Sequence, residues 1–201
     1  MPRPVDTRDR IVRSAARLFL TRSYTGVGVA DLCAAADVRR GSFYHYFASK
    51  AELVNAVVDL HAAEFDRRMD QARREPAGGR LQAAADAVFA IQSDFEARFG
   101  RIVGCPFGNL AAELATTDEE VRAHVATVFA GWEARLAEIC RDAAAEGALR
   151  PGLAPDRVAH AVLAQMQGLI LLAKVRGTTA RSIREDLGAL IDSFVAPSPD
   201  R

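Results

Sequence analysis

Arg39-Arg40-Gly41-Ser42-Phe43-Tyr44-His45-Tyr46-Phe47-Ala48-Ser49-Lys50 gathers two guanidiniums, two phenols, an imidazole and an ammonium within twelve residues. A short helix laid against nucleic acid explains such a run. Arg, Ser, Tyr and Lys groups donate to phosphate oxygens, Gly41 lets the backbone come close, and Phe43 and Phe47 are left to face a core. The competing reading is a solvated helix start at Arg39 and Arg40, with Tyr44 and Tyr46 as core aromatics. The elements around the run, and its charge, favour nucleic acid.

Upstream, residues 29–36 read as a short helix with Leu32 and Cys33 inward, Asp37-Val38 as a turn, and Arg39 or Arg40 as the start of a third helix through Phe47. Helix, turn and recognition helix follow at normal length. A first helix, capped by Asp6 or Thr7, carries the stripe Ile11, Ala15, Leu18 and Phe19 and breaks over 23–28. Downstream, Ser49-x-x-Glu52 is a capping box for a fourth helix through Leu53, Val57, Leu60 and Phe65 toward Met69. Pro76-Ala77-Gly78-Gly79, within a breaker over 71–80, closes it and marks the boundary between a head and a body. Helical periods then place body helices at 81–99, at 109–115, after a Thr117-x-x-Glu120 cap, at 155–175 and at 181–195. The 155–175 helix is apolar nearly all round, which predicts burial on more than one side.

The 201 residues carry 26 basic and 26 acidic side chains, so the formal charge is zero. Its distribution is not even. Residues 1–50 hold nine Arg or Lys against four Asp, a net of +5, and the remainder holds 17 against 22, a net of −5. A basic head on an acidic body suits a protein that brings only one end to DNA. Cys33, Cys105 and Cys140 lack Cys-x-x-Cys spacing, and the four histidines are scattered, so neither a disulfide framework nor a metal site is expected. Gly-x-Ser-x-Gly and phosphate-loop motifs are absent, so neither an enzyme nor a cofactor is expected. The longest apolar stretch, 168–173, is far short of the roughly 20 residues that cross a bilayer, and a cytoplasmic protein without membrane contact is expected.

The segment from about residue 5 to about residue 64 resembles the DNA-binding head of bacterial one-component regulators of the TetR type, because helix spacing, aromatic cluster and trailing Ser-Lys agree. The resemblance implies an all-α protein of about nine helices. It has a three-helix helix-turn-helix head (5–64, the motif itself at about 28–47) and a ligand-sensing and dimerisation domain (76–195). The last two helices are too hydrophobic for a monomer surface and argue for a homodimer joined through them in a four-helix bundle; with two such heads the resemblance implies a palindromic operator on double-stranded DNA, and repression relieved by an inducer. Arg39, Arg40 and Ser42 then become base-edge candidates, Tyr44, His45 and Lys50 phosphate candidates, and Gly41 the point of close approach. Gly28 and Asp37 stand where relatives often carry Ser or Thr and Gly, so at position 28 a backbone amide replaces a side-chain phosphate contact. Arg39 stands where many relatives have a small polar residue, so operator preference does not transfer.

Gly104-Cys105-Pro106-Phe107-Gly108-Asn109-Leu110-Ala111-Ala112-Glu113 resembles a Gly-Cys-x-x-x-Asn-Leu-x-x-Glu variant of the branch that includes sensors of electrophiles and oxidants. On that resemblance Cys105 pairs with Lys174, one of only two lysines, with Gln167 seven residues earlier on the same helix. The plain alternative makes Cys105 a packing residue and Lys174 a snorkelling helix end, and the usual burial of free cysteine favours it. Phe89, Phe95, Phe107, Phe129, Trp132, Met166 and Gln167 are either ordinary core or the lining of a site for a small apolar or electrophilic inducer. A DNA-architectural protein without inducer is the alternative function, which the large hydrophobic body disfavours.

Overall fold

Helical periodicity is realised throughout a computed structural model that describes residues 6–72 and 74–196, so the expected start of the head at residue 5 lies outside the described residues. The order is α1 (Thr7–Arg22), α2 (Val29–Ala36), α3 (Arg40–Tyr46), α4 (Lys50–Ala72), α5 (Ala77–Phe99), α6 (Pro106–Leu114), α7 (Glu119–Ala145), α8 (Pro155–Arg176) and α9 (Ala180–Phe194). Among the described residues the only β pairing is an isolated bridge, Leu149 to Val195.

Local chemistry sets the ends. α2 stops at Asp37, a left-handed residue at φ 52°, with Val38 N–H donating to Cys33 O at 3.0 Å. Aspartate is one of the few side chains that tolerate that region. α4 opens as expected, Glu52 N–H donating to Ser49 Oγ at 3.0 Å, although the Glu52 carboxylate reaches back to Ala48 N–H (2.7 Å) rather than to Ser49. Three starts differ from the expected ones. α5 begins at Ala77, four residues early, after Pro76 in its N-cap position, so the two glycines lie inside the first turn. α6 begins at Pro106 rather than Asn109, because proline's fixed φ and missing N–H suit a first helical residue. α7 is capped by Asp118, whose Oδ1 accepts from Val121 N–H at 3.1 Å, while the Thr117 hydroxyl turns back to Leu114 O.

The chain forms two compact units. The first holds the chain up to Ala63 together with Pro106–Ala126, thus α1 to α3, most of α4, α6 and the first part of α7. Ile11, Ala15, Leu18, Phe19, Leu32, Phe43, Phe47, Leu53, Val57 and Leu110 make its core. Ser14 Oγ ties α1 to Ala35 O (3.1 Å), and Asn55 and Asp59 of α4 bond Glu120 and His124 of α7 at 2.7 and 2.9 Å.

The second unit holds Glu64–Cys105 and the chain from Thr127 onward. α9 carries Ile183, Leu187 and Ile191 inward, and is pinned to α5 by Gln82 Nε2 on Gly188 O (3.2 Å) and by Glu96 accepting from Ala180 N–H (2.9 Å). α8 is covered along one side only within a single chain, as a helix shared with a second copy would be. By hydropathy and length alone it passes for a membrane span, and Val158, Val162, Met166 and Ile170 are buried, yet Leu171, Leu172 and Val175 are 58%, 43% and 75% exposed. Within one protomer only part of its apolar surface is covered.

In the first unit His61 of α4 packs edge-on to Phe107 of α6 (6.2 Å between rings). It borders, with Phe19, Pro106 and Asn109, a cavity of about 10 Å³, room for about one water. Burial pushes its pKa down to about 4. The folded imidazole therefore stays neutral while the unfolded one takes a proton below about pH 6.5, and stability is lost as pH falls from that value toward 4. Thermal unfolding of the whole protein across this interval is expected to show the decline, and His61→Gln to flatten it; an equally steep decline in the variant contradicts the assignment.

Candidate nucleic-acid interface and sensor body

α3 is too short to be stable alone and is held by two fully buried rings, Phe43 and Phe47, at 0% and 2% exposure. With those rings inward, the i, i+4 spacing turns Arg40, Gly41, Tyr44 and His45 outward, next to the exposed Arg39, while Ser42 is half-buried. The Arg40 guanidinium lies 5.7 Å from the Tyr44 ring centroid, and interaction with Tyr44 raises its already high pKa. The pair remains open to solvent and keeps guanidinium donors for an anion. An added Cβ at Gly41 meets nothing within 4 Å, so packing within the chain does not require glycine there.

Two expected phosphate contacts sit differently. The Gly28 amide, at the N-cap of α2, donates to Asp31 Oδ2 at 2.9 Å, which leaves Val29 and Ala30 as first-turn N–H donors for an anion. Lys50 Nζ donates to Tyr24 O (3.0 Å) and Val27 O (2.9 Å) and lies 3.8 Å from the Tyr24 ring centroid. Two of its three N–H donors thus brace the segment between α1 and α2, and burial lowers its pKa.

The same segment is gripped from α6 by a residue that sequence reasoning saw only as the end of a motif. Glu113 Oε1 accepts from Tyr24 N–H, and its Oε2 from Thr25 N–H and Oγ1, all at 3.0 Å. Burial opposes its charge, but the hydrogen bonds from Thr25 and Tyr24 outweigh that and hold its pKa below the usual carboxylate value.

In the second unit Trp132 stacks on Phe65 (3.9 Å between centroids) with Phe129 edge-on to it at 5.5 Å. Met166 is buried and Phe89, Phe95 and Gln167 are half-buried. Phe107 belongs instead to the first unit, against His61. Gln167 Nε2 and Gln92 Oε1 are both buried without a hydrogen-bond partner, and Gln92 is 2% exposed. Gln92 was not singled out from sequence, since one amide on a helix gives no signal. Cys105 immediately precedes α6 and is half-buried, whereas Cys33 and Cys140 are buried and burial pushes the Cys140 thiol up to about 11. Lys174 is exposed in the last turn of α8, not turned into the core.

Comparison with known proteins agrees with this arrangement. Residues 11–57 match the model of bacterial regulatory proteins of the tetR family, and residues 77–184 that of the tetracyclin repressor-like C-terminal domain. The transcriptional regulator AcuR of Cereibacter sphaeroides is 33% identical over 82% of this chain and 75% of its own. The transcriptional repressor NemR of Escherichia coli is 32% identical over 58% of each chain. The crystal structure of reduced E. coli NemR superposes with a TM-score of 0.83 at 26% identity, covering 96% of this chain and 99% of that one. These are regulators of transcription and not enzymes. Two matched domains, a shared fold and a relative at one-third identity establish that this chain belongs to the tetR family of DNA-binding transcriptional regulators.

Proposed function

We propose that this regulator is a cytoplasmic, homodimeric repressor that holds a palindromic operator through α3 and is released by a small inducer bound in the second unit. The observation that carries the DNA reading is the outward donor face Arg39, Arg40, Gly41, Tyr44 and His45, set over the buried Phe43 and Phe47. Arg39, Arg40 and Ser42 read base edges; Tyr44, His45, the remaining Lys50 donor and the amides that follow Gly28 reach phosphates. Gly41 fits here because the duplex, not the protein, needs the space.

An inducer is supported by two features of the second unit: the aromatic group Phe65, Phe129 and Trp132, and the buried amide atoms of Gln92 and Gln167 that have no hydrogen-bond partner. An unmet buried donor or acceptor costs about 1–3 kcal/mol, which an apolar molecule with one acceptor and one donor offsets. Met166 and Phe89 supply further apolar lining. The architectural alternative has no use for such a body.

The exposed Leu171, Leu172 and Val175 of α8 are the face through which α8 and α9 pair with a second copy. In that dimer two heads demand two related half-sites.

A second release route is supported by Cys105, the most accessible of the three thiols, and by the likeness to NemR. An adduct at the residue before α6 displaces that helix directly, with Phe107 in its first turn.

Genome-wide binding with and without oxidant, followed by footprinting, tests the whole reading: one protected palindrome is expected, and unbounded coverage contradicts it. Arg40→Ala is expected to weaken operator binding by about 1–3 kcal/mol, with a shallower salt dependence, in gel-shift titrations. Leu171→Glu with Val175→Glu is expected to turn a dimer into a monomer in sedimentation, and an unchanged dimer rejects that face. Cys105→Ser is expected to bind operator normally and to stay bound under a quinone; release equal to wild type leaves only reversible ligand binding.

A further inference from the structure

We infer that Glu113 is a positioning residue for DNA recognition, a clasp through which a shift of α6 reaches the turn that sets the start of α2. Its transmitting role rests on the release reading above, whereas its positioning role does not.

The turn over residues 23–28 is held from two sides by opposite charges. Its N–H groups at Tyr24 and Thr25 go to the Glu113 carboxylate of α6, and its carbonyls at Tyr24 and Val27 go to the Lys50 ammonium at the start of α4. It is not a relaxed turn. Ser23 sits at φ 77°, a left-handed conformation that a non-glycine residue keeps only when its surroundings impose it. Gly26 packs so closely that an added Cβ lies 2.7 Å from Arg22 O. Gly28 and the first-turn amides of Val29 and Ala30 follow Thr25 within five residues, and Lys50 follows α3 by four. Moving Glu113 therefore moves the segment that aims α2, while α6 itself starts at the peptide after Cys105.

The interaction also has the strength to transmit. A carboxylate that accepts two backbone N–H bonds and a hydroxyl ties α6 to the turn at three points, and charge makes each bond stronger than a neutral one. A simple packing contact slides.

The test uses full-length wild type, Glu113→Gln and Glu113→Ala. Amide hydrogen exchange at Tyr24 and Thr25 is expected to be slow in wild type and at least about tenfold faster in Glu113→Ala, with Glu113→Gln between them. Inducer-free operator affinity is expected to fall in the same order, by about tenfold for Glu113→Ala, with the distant amides of α9 unchanged in exchange. Unchanged exchange at Tyr24 and Thr25, or unchanged affinity, overturns the positioning role. Transmission is read by alkylating Cys105 with N-ethylmaleimide, with Cys105→Ser as the control. The ratio of operator affinities before and after alkylation is expected to be large in wild type and near one in Glu113→Ala. Equal ratios overturn transmission and leave the thiol route standing; no release of wild type instead overturns the thiol route, and with it transmission from that residue, while exchange and affinity still decide positioning.

Discussion

Burial of Phe43 and Phe47 is the constraint on which the rest depends. A seven-residue helix has too few internal hydrogen bonds to persist alone, so its rotation is decided by the two rings it buries. Once they point inward, helical geometry leaves Arg40, Gly41, Tyr44 and His45 no direction but outward. Removing either ring releases the whole donor face, not one contact, since deleting a buried phenyl costs about 3–5 kcal/mol.

A DNA-reading surface must be rigid enough to discriminate and yet movable by a signal. On the proposed reading the first unit would meet both needs with few parts. Apolar packing of α1, α2 and α3 supplies rigidity, and charge-assisted bonds from Glu113 and Lys50 secure the turn between α1 and α2, where Ser23 has a positive φ. α6 lies in the same compact unit as the head, though far from it in sequence.

Much of this was legible in the chain. α2 falls at its expected residues, the α1 stripe is buried, and Phe43 and Phe47 face inward, because local period and short-range spacing decide those features. Starts were less legible where two residues compete for a cap: Asp118 takes the role expected of Thr117, and Pro106 opens α6 earlier than the glycines around it suggested. Least legible was pairing across the chain. Tyr24 and Glu113 are 89 residues apart, and neither Lys50's embrace of the turn nor the exposure of Lys174 and Leu171 leaves a periodic trace. Charge told that Lys50 would act as a cation, not on what.

Whether the outward face of α3 reads the operator is tested by cross-linking, which does not rely on loss of binding. A benzophenone side chain placed at Tyr44, on the exposed face, is compared with one placed at Leu153, an exposed residue of the second unit. Photo-cross-links to operator DNA are expected within each half-site from position 44 and none from position 153. Absence of cross-links from position 44 while the operator remains bound, or equal yields from both positions, contradicts that role of α3.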